Sequence, residues 1–269
     1  MQTLAQPVTG LGMDLFSIEG KTALVTGGSR GIGLMIATGF VQAGATVYVS
    51  SRKADACEEA AATLNAIGPG RAVALPADLS VYDEASRVAT DLAEREPKLD
   101  ILVNNAGSNW GEDYTTFPEA AWDRCLDVNL KGVFALTRAC TALLEAAATQ
   151  EDPARVINIG SIDGLRVPEL ETYAYSASKA AVHHLTEVLA RKLAPKRITV
   201  NAVAPGPFES KMMAATLDAF GEMIRATNPL GRIGEPSDMA GIAIFLSSKA
   251  GSYITGAVIP VDGGISTTR

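Results

Sequence analysis

The chain of 269 residues is 47% hydrophobic and 20% charged, which is enough apolar material for a large buried core and sets disorder aside. A net charge of −7 argues against a nucleic-acid partner, because phosphate backbones are held by clustered Lys and Arg. No apolar run approaches the length of a bilayer span, and residues 1–16 lack the basic start and long apolar run of a secretory signal, so a cytoplasmic protein without membrane insertion is expected.

After an N-terminal extension over residues 1–16, β-branched apolar runs alternate with Ala-rich amphipathic stretches. Strands are predicted at TALVTG, ATVYVSS, RAVALPAD, LDILVNNAG, ARVINIGS, RITVNAVAPG and AVIPVDGG, with helices over 31–43, 54–67, 83–96, 119–149, 173–194 and 237–247. Continuous apolar strands separated by helices imply a parallel sheet covered on both faces. The expected architecture is therefore α/β: a single Rossmann-type doubly wound domain over 17–269, with a seven-stranded parallel sheet and helices on both faces. Only 205–230 breaks the rhythm, and that segment is the candidate lid.

The first strand runs into Thr26-Gly27-Gly28-Ser29-Arg30-Gly31-Ile32-Gly33 and then a helix. Glycines there permit positive φ and let the backbone approach a pyrophosphate resting on the helix N-terminus. The second strand ends in Ser50-Ser51-Arg52, where an NAD enzyme would place a carboxylate against the ribose 2′-hydroxyl. With no carboxylate there, and with Arg52 and Arg30 at hand for a 2′-phosphate, NADP(H) is the expected cofactor. Asp78, after the third strand, suits either an adenine contact or a helix-start turn. Asn104 and Asn105 suit either the sheet edge or the adenosine pocket.

Tyr175 and Lys179 stand four residues apart on one predicted helix face. At about 5 Å and an effective dielectric near 20, their attraction is roughly 3 kcal/mol, enough to lower an ordinary phenol by about two pH units. Ser161, at the end of ARVINIGS, is read as a hydrogen-bond donor to the oxygen that gains charge. It is not read as a nucleophile, because there is no GxSxG elbow and both histidines lie on the Tyr175 helix. Asn129 sits inside the long helix, where Asn is a poor helix former and its amide can redirect local hydrogen bonds. His183 extends the Lys179 face by one turn and is read as packed. Cys57, Cys125 and Cys140 form no CxxC pair and are read as reduced, packed thiols, and no metal site is expected.

These motifs together (TGGSRGIG, PADLS, NNAG, DVNLKG, INIGS, YSASK and Pro205-Gly206, in order) resemble the short-chain dehydrogenase/reductase family from about Phe16 onward. Its bacterial 3-oxoacyl reductases, of the rhamnolipid-pathway branch, are the most similar. The resemblance implies Tyr175 as general acid, Lys179 as the group lowering its pKa and holding the nicotinamide ribose, Ser161 polarising the carbonyl, and Asn129 anchoring a relay water. It further implies cofactor contacts at Gly27, Ser29, Arg30, Gly31, Ile32, Gly33, Ser51, Arg52, Asp78, Leu79, Asn105, Ala106, Gly107, Tyr175, Lys179, Pro205 and Gly206. It also implies a substrate lid at about 207–228; substrate would meet Ser161 and Tyr175, with Phe208, Met212, Met213 and Leu217 of the lid either lining an acyl pocket or packing its short helices. A homotetramer built through the long helix and the Tyr175 helix is expected.

The expected reaction is NADPH-dependent reduction of a carbonyl, a 3-oxoacyl thioester or related ketone. The alternatives are an alcohol or polyol dehydrogenase, and a non-catalytic NADP(H) sensor, which the intact tetrad opposes. Gln150, Glu151 and Asp152 stand where carrier-protein-dependent members have basic residues, which argues against a carrier-bound substrate.

Overall fold

The structure is a computed structural model describing residues 12–211 and 213–268. Seven strands are present: β1 (Thr22–Thr26), β2 (Thr46–Ser50), β3 (Arg71–Ala74), β4 (Ile101–Asn104), β5 (Ala154–Ile159), β6 (Ile198–Pro205) and β7 (Val258–Val261). They form one sheet in the order β3-β2-β1-β4-β5-β6-β7, and every pairing is parallel. The fold class expected from the sequence is the one observed.

Alternate residues of the central strands feed two separate cores, because successive side chains point to opposite faces. Ala23, Val25, Val47 and Val49 meet Ile36 and Phe40 of α1 (Gly31–Gln42) and Met239, Ala243 and Leu246 of α9 (Pro236–Ser247). Leu24, Tyr48, Leu102, Val156 and Val200 meet Val88 and Leu92 of α3 (Glu84–Ala93), Leu136 of α5 (Val133–Ala139) and Leu189 of α7 (Tyr173–Leu193). Helix α2 (Ala54–Asn65) covers the β2–β3 edge.

The helix expected over 119–149 is broken into α4 (Glu119–Leu126), a π-helical turn (Asp127–Gly132), α5 and α6 (Thr141–Ala147). The wide turn lies where a Cβ on Gly132 would come within 2.6 Å of the Leu79 carbonyl oxygen, and it contains Asn129. In the segment set aside as a lid, one helix, α8 (Ala214–Thr227), follows an irregular stretch after β6. Met212 lies outside the described residues, as does most of the N-terminal extension. Of that extension, Met13–Phe16 form a 3-10 turn, and Phe16 lies 6.5 Å from the Phe245 ring.

The chain steps outward from β1 to β3 and then returns to β4 on the other side of β1. This reversal opens a crevice at the carboxyl ends of the strands, the place where open α/β sheets bind ligands.

Candidate active site

Every loop carrying a predicted site residue leaves the sheet at this carboxyl-end edge. After β1, Gly27 and Gly31 have φ of +62° and +54°, the left-handed region that glycine enters without penalty. The Asn105 amide clamps this loop from β4: its Nδ2 donates to the Thr26 carbonyl at 2.8 Å, while Thr26 Oγ1 accepts from the backbone N–H groups of Asn105 and Ala106. Asn105 thus holds the loop. Asn104 is instead buried in the sheet, donating to Thr137 Oγ1 and Asn158 Oδ1.

The Ser29 hydroxyl donates to Ser51 Oγ at 3.0 Å, joining the glycine loop to the end of β2. Arg30 and Arg52 are both exposed beside that contact, and neither forms an ion pair among the described residues. Positive-φ glycines at a helix start, two linked hydroxyls and two available guanidinium groups fit a dinucleotide carrying an extra phosphate. Asp78 uses Oδ1 to accept from the backbone and hydroxyl of Ser80, which is the turn reading, and its other oxygen is available. The Leu79 side chain is buried in the second core, leaving only its backbone to face a ligand. Pro205 ends β6, and the Gly206 N–H donates to Val261.

Across the crevice, Ser161 follows β5 and caps the 3-10 turn Ile162–Gly164, its Oγ accepting from the Asp163 N–H at 3.1 Å. The Ser161 hydroxyl also acts on the Tyr175 phenol, favouring its ionised form. Lys179, one turn further along α7, is 4% exposed, and its Nζ donates to the Ile159 carbonyl at 2.7 Å. Asn129 completes the group: Nδ2 donates to the Ser108 carbonyl and Ser178 Oγ, and Oδ1 accepts from the Ser108 N–H. One Oδ1 lone pair is left over. A Cβ built on Gly107 would lie 3.4 Å from Asn129 Oδ1 and 3.7 Å from Lys179 Nζ, so these three residues border one space.

The electrostatics differ from the expectation in one respect. Tyr175 is only partly buried as a residue, yet burial pushes its phenol up to about 12, opposed by the Ser161 hydrogen bond and reinforced by the Asp163 carboxylate. Burial also brings Lys179 down to about 8. Desolvation outweighs the attraction computed from helical spacing, because the ammonium is turned to a carbonyl and lies 5.6 Å from the phenol ring centre. Tyr175 therefore carries its proton at neutral pH, the form a proton donor needs.

Of the lid segment, Ser210 borders the glycine loop, its Cβ lying 3.3 Å from where a Cβ on Gly31 would stand. Phe208 is 1% exposed and packs in the first core, against a glycine slot at Gly234 where a Cβ would meet its ring at 2.3 Å. It cannot line an open wall. Met213 and Leu217 are half-buried on the approach to and the first turn of α8. A cavity of about 900 Å³ lies between the β4–α4 and β5–α7 loops, beside the start of α7, and is walled by Tyr114, Phe117, Trp122, Val167, Leu170 and Tyr173. Its rings meet edge to face, Phe117 on Tyr173 at 5.3 Å and Tyr114 on Tyr173 at 5.8 Å. The apolar residues flanking YSASK and following NNAG were its only sequence signal. Cys57, Cys125 and Cys140 are free and buried. No group of three or more metal-ligating side chains occurs among the described residues, and no helix is long and apolar enough to cross a membrane.

Comparison with known proteins is consistent with this geometry. A family model described as enoyl-(acyl carrier protein) reductase matches residues 27–266. The rhamnolipids biosynthesis 3-oxoacyl-[acyl-carrier-protein] reductase of Pseudomonas aeruginosa is 46% identical over 252 residues, covering 93% of this chain and 97% of that protein. The 5-keto-D-gluconate 5-reductase of Escherichia coli is 35% identical over 254 residues, covering 94% and 98%. Among solved structures, the Pseudomonas aeruginosa RhlG/NADP active-site complex superimposes with a TM-score of 0.91 at 45% identity, covering 94% of this chain and 99% of that one.

Proposed function

The chain belongs to the short-chain dehydrogenase/reductase family of oxidoreductases, and on that premise we propose that it reduces a ketone to a secondary alcohol with NADPH, a 3-oxoacyl thioester or related ketone being the substrate. The observation that carries this reading is the gathering of Tyr175, its phenol protonated at neutral pH, with Ser161, Lys179 and Asn129 at the crevice that the glycine loop borders.

Bound NADPH supplies the hydride. The glycine loop and the N-terminus of α1 would hold its pyrophosphate, Arg30 and Arg52 its 2′-phosphate, and Lys179 its nicotinamide ribose. Ser161 donates a hydrogen bond to the carbonyl oxygen as it gains charge, and Tyr175 gives that oxygen its proton. Asn129 anchors a water with its remaining lone pair, through which the phenol is reprotonated. The aromatic cavity beside the start of α7 supports an apolar acyl group next to the reacting carbon.

A second reading is reduction of a polyhydroxy ketone, in the manner that the name of the Escherichia coli relative describes. It is favoured by Asp163, a half-buried carboxylate one residue from Ile162 that accepts no hydrogen bond among the described residues and suits a substrate hydroxyl.

We extend the reading to a cytoplasmic homotetramer. Exposed Ala177, Ala180 and Val188 along α7, interspersed with exposed His184 and Glu187, and Phe134 on α5 supply small and apolar side chains for close helix packing. Light scattering on the eluting protein tests this. The function is tested by NADPH consumption with 3-oxoacyl thioesters, simple ketones and keto-sugars, using Tyr175→Phe as the blank. Turnover of acyl substrates that disappears in the variant is expected. Turnover confined to keto-sugars selects the second reading, and binding of NADPH without turnover overturns both.

A further inference from the structure

His183 lies one turn beyond Lys179 on the same face of α7 and is 6% exposed. Its imidazole fills a slot made by two glycines of the β5–α7 connection. A Cβ on Gly160 would stand 2.1 Å from Nε2, and one on Gly164 would stand 2.9 Å from Cε1 and 2.7 Å from the Ala180 backbone nitrogen. The slot brings Nε2 within 3.4 Å of the Ser161 backbone nitrogen. The preceding N–H, of Gly160, is still held by the sheet through Val203 at 2.7 Å, so Ser161 is the first residue past β5 to be held by a side chain.

We propose that His183 is a positioning residue for the carbonyl chemistry: its imidazole accepts the Ser161 N–H and fixes the turn that aims the Ser161 hydroxyl at the reacting oxygen. The inference rests on the reductase reading above. An apolar side chain in the slot would leave the Ser161 N–H buried without a partner, which is costly; the imidazole satisfies that donor at Nε2, while Nδ1 is buried with no partner among the described residues.

The role requires a neutral ring. Protonation would turn Nε2 into a donor facing another donor and place a second cation beside Lys179. Burial and the Lys179 charge hold the imidazole below its ordinary value, while the Gly164 backbone and Glu187 act in the opposite sense. The 3-10 turn packed on the ring contributes the Asp163 carboxylate, itself raised by burial and drawn back by Arg166. An acid limb from His183 therefore falls below about pH 6.5, the ordinary value for histidine.

The test uses His183→Leu and His183→Gln, each alone and with Ser161→Ala, together with ¹⁵N spectra of the two histidines. The leucine variant is expected to lose at least tenfold in kcat with NADPH affinity within twofold of wild type, and to add almost nothing to the Ser161→Ala loss. Glutamine, which can accept but does not titrate, is expected to restore most of that kcat and to abolish the acid limb. The spectra are expected to show His183 neutral at pH 7 with its proton on Nδ1. Wild-type kcat in the leucine variant, multiplicative losses in the double variant, an acid limb that survives in the glutamine variant, or an Nε2–H tautomer would each overturn the inference while ketone reduction still stands. Failure of the wild type to reduce any ketone would instead remove the reductase reading and this role with it.

Discussion

Gly33 and Asn105 occupy adjoining space so tightly that a methyl group on Gly33 would stand 2.5 Å from the Asn105 amide nitrogen and 2.3 Å from the Gly27 carbonyl oxygen. The helix start therefore closes directly on the side chain that clamps the glycine loop. Alanine at this position would favour the helix by up to about 1 kcal/mol by intrinsic propensity, yet it must displace the clamp. Gly33→Ala is expected to weaken NADPH binding at least tenfold, read by quenching of protein fluorescence, while circular dichroism stays that of the parent. Wild-type affinity in the variant would show that the loop tolerates a wider turn.

On the proposed mechanism Lys179 is expected to set the alkaline side of the reaction. Its folded-state pKa is lowered to about 8, so the ammonium is present below that pH and lost above it, whereas Tyr175 keeps its proton until about 12. Reduction is expected to fall as pH rises through about 8, through loss of the lysine charge and not of the phenol proton. In Lys179→Met the residual rate should be lower and should lack this limb. A limb that persists unchanged in the variant would assign it to another group.

Arg52 and Arg30 are exposed, so in the proposed 2′-phosphate site each would act through a charge-assisted hydrogen bond and not through packing. Such a bond is worth about 1.5–3 kcal/mol, roughly 10- to 100-fold in affinity. Arg52→Asp is expected to raise the KM for NADPH by at least tenfold and to narrow or invert the preference over NADH, with kcat for the ketone little altered. Equal effects on both cofactors would place Arg52 outside the 2′-phosphate site.

The sheet and crevice were legible because they follow from local pattern. Continuous apolar strands demand cover on both faces, and glycine at 27, 31 and 33 is required by φ and close approach alone. What the pattern could not supply was anything set by distant packing. Asn129 was recognisable as a misfit in a helix, but the π-turn that accommodates it depends on Gly132 meeting the Leu79 carbonyl, a contact more than fifty residues away in sequence. Phe208 reads as a pocket residue because it follows Pro205-Gly206, and its burial depends on the slot at Gly234. The Tyr175–Lys179 spacing was correct, yet helical spacing carries no information about desolvation, which determined both pKa values.

Arg155 is the largest fully buried side chain, at 1% exposure, and its guanidinium ties the start of β5 to the end of α9. Nε donates to the Leu246 carbonyl at 3.1 Å, the terminal nitrogens to the carbonyls of Ser248 and Pro153, and one also to Asp152, which in turn pairs with Lys21. The carbonyls of Leu246 and Ser248 belong to a helix C-terminus, where such groups lack partners within the helix and a cation is favoured. Burial lowers the Arg155 pKa but the Asp152 carboxylate opposes this, so the charge is retained and costs desolvation. Removing it leaves the carbonyls of Leu246, Ser248 and Pro153 without this donor, a loss of about 1–3 kcal/mol for each acceptor left buried and unsatisfied. Arg155→Met should therefore lower the urea midpoint markedly with little change in slope. Arg155→Lys, which keeps the charge but has no planar fork to reach helix end and loop together, should recover only part of the loss. Full recovery by lysine would mean that charge alone holds the strand to the helix. A methionine variant as stable as the parent would mean that the apolar surroundings accept the site and that the network serves to fix geometry without contributing net stability.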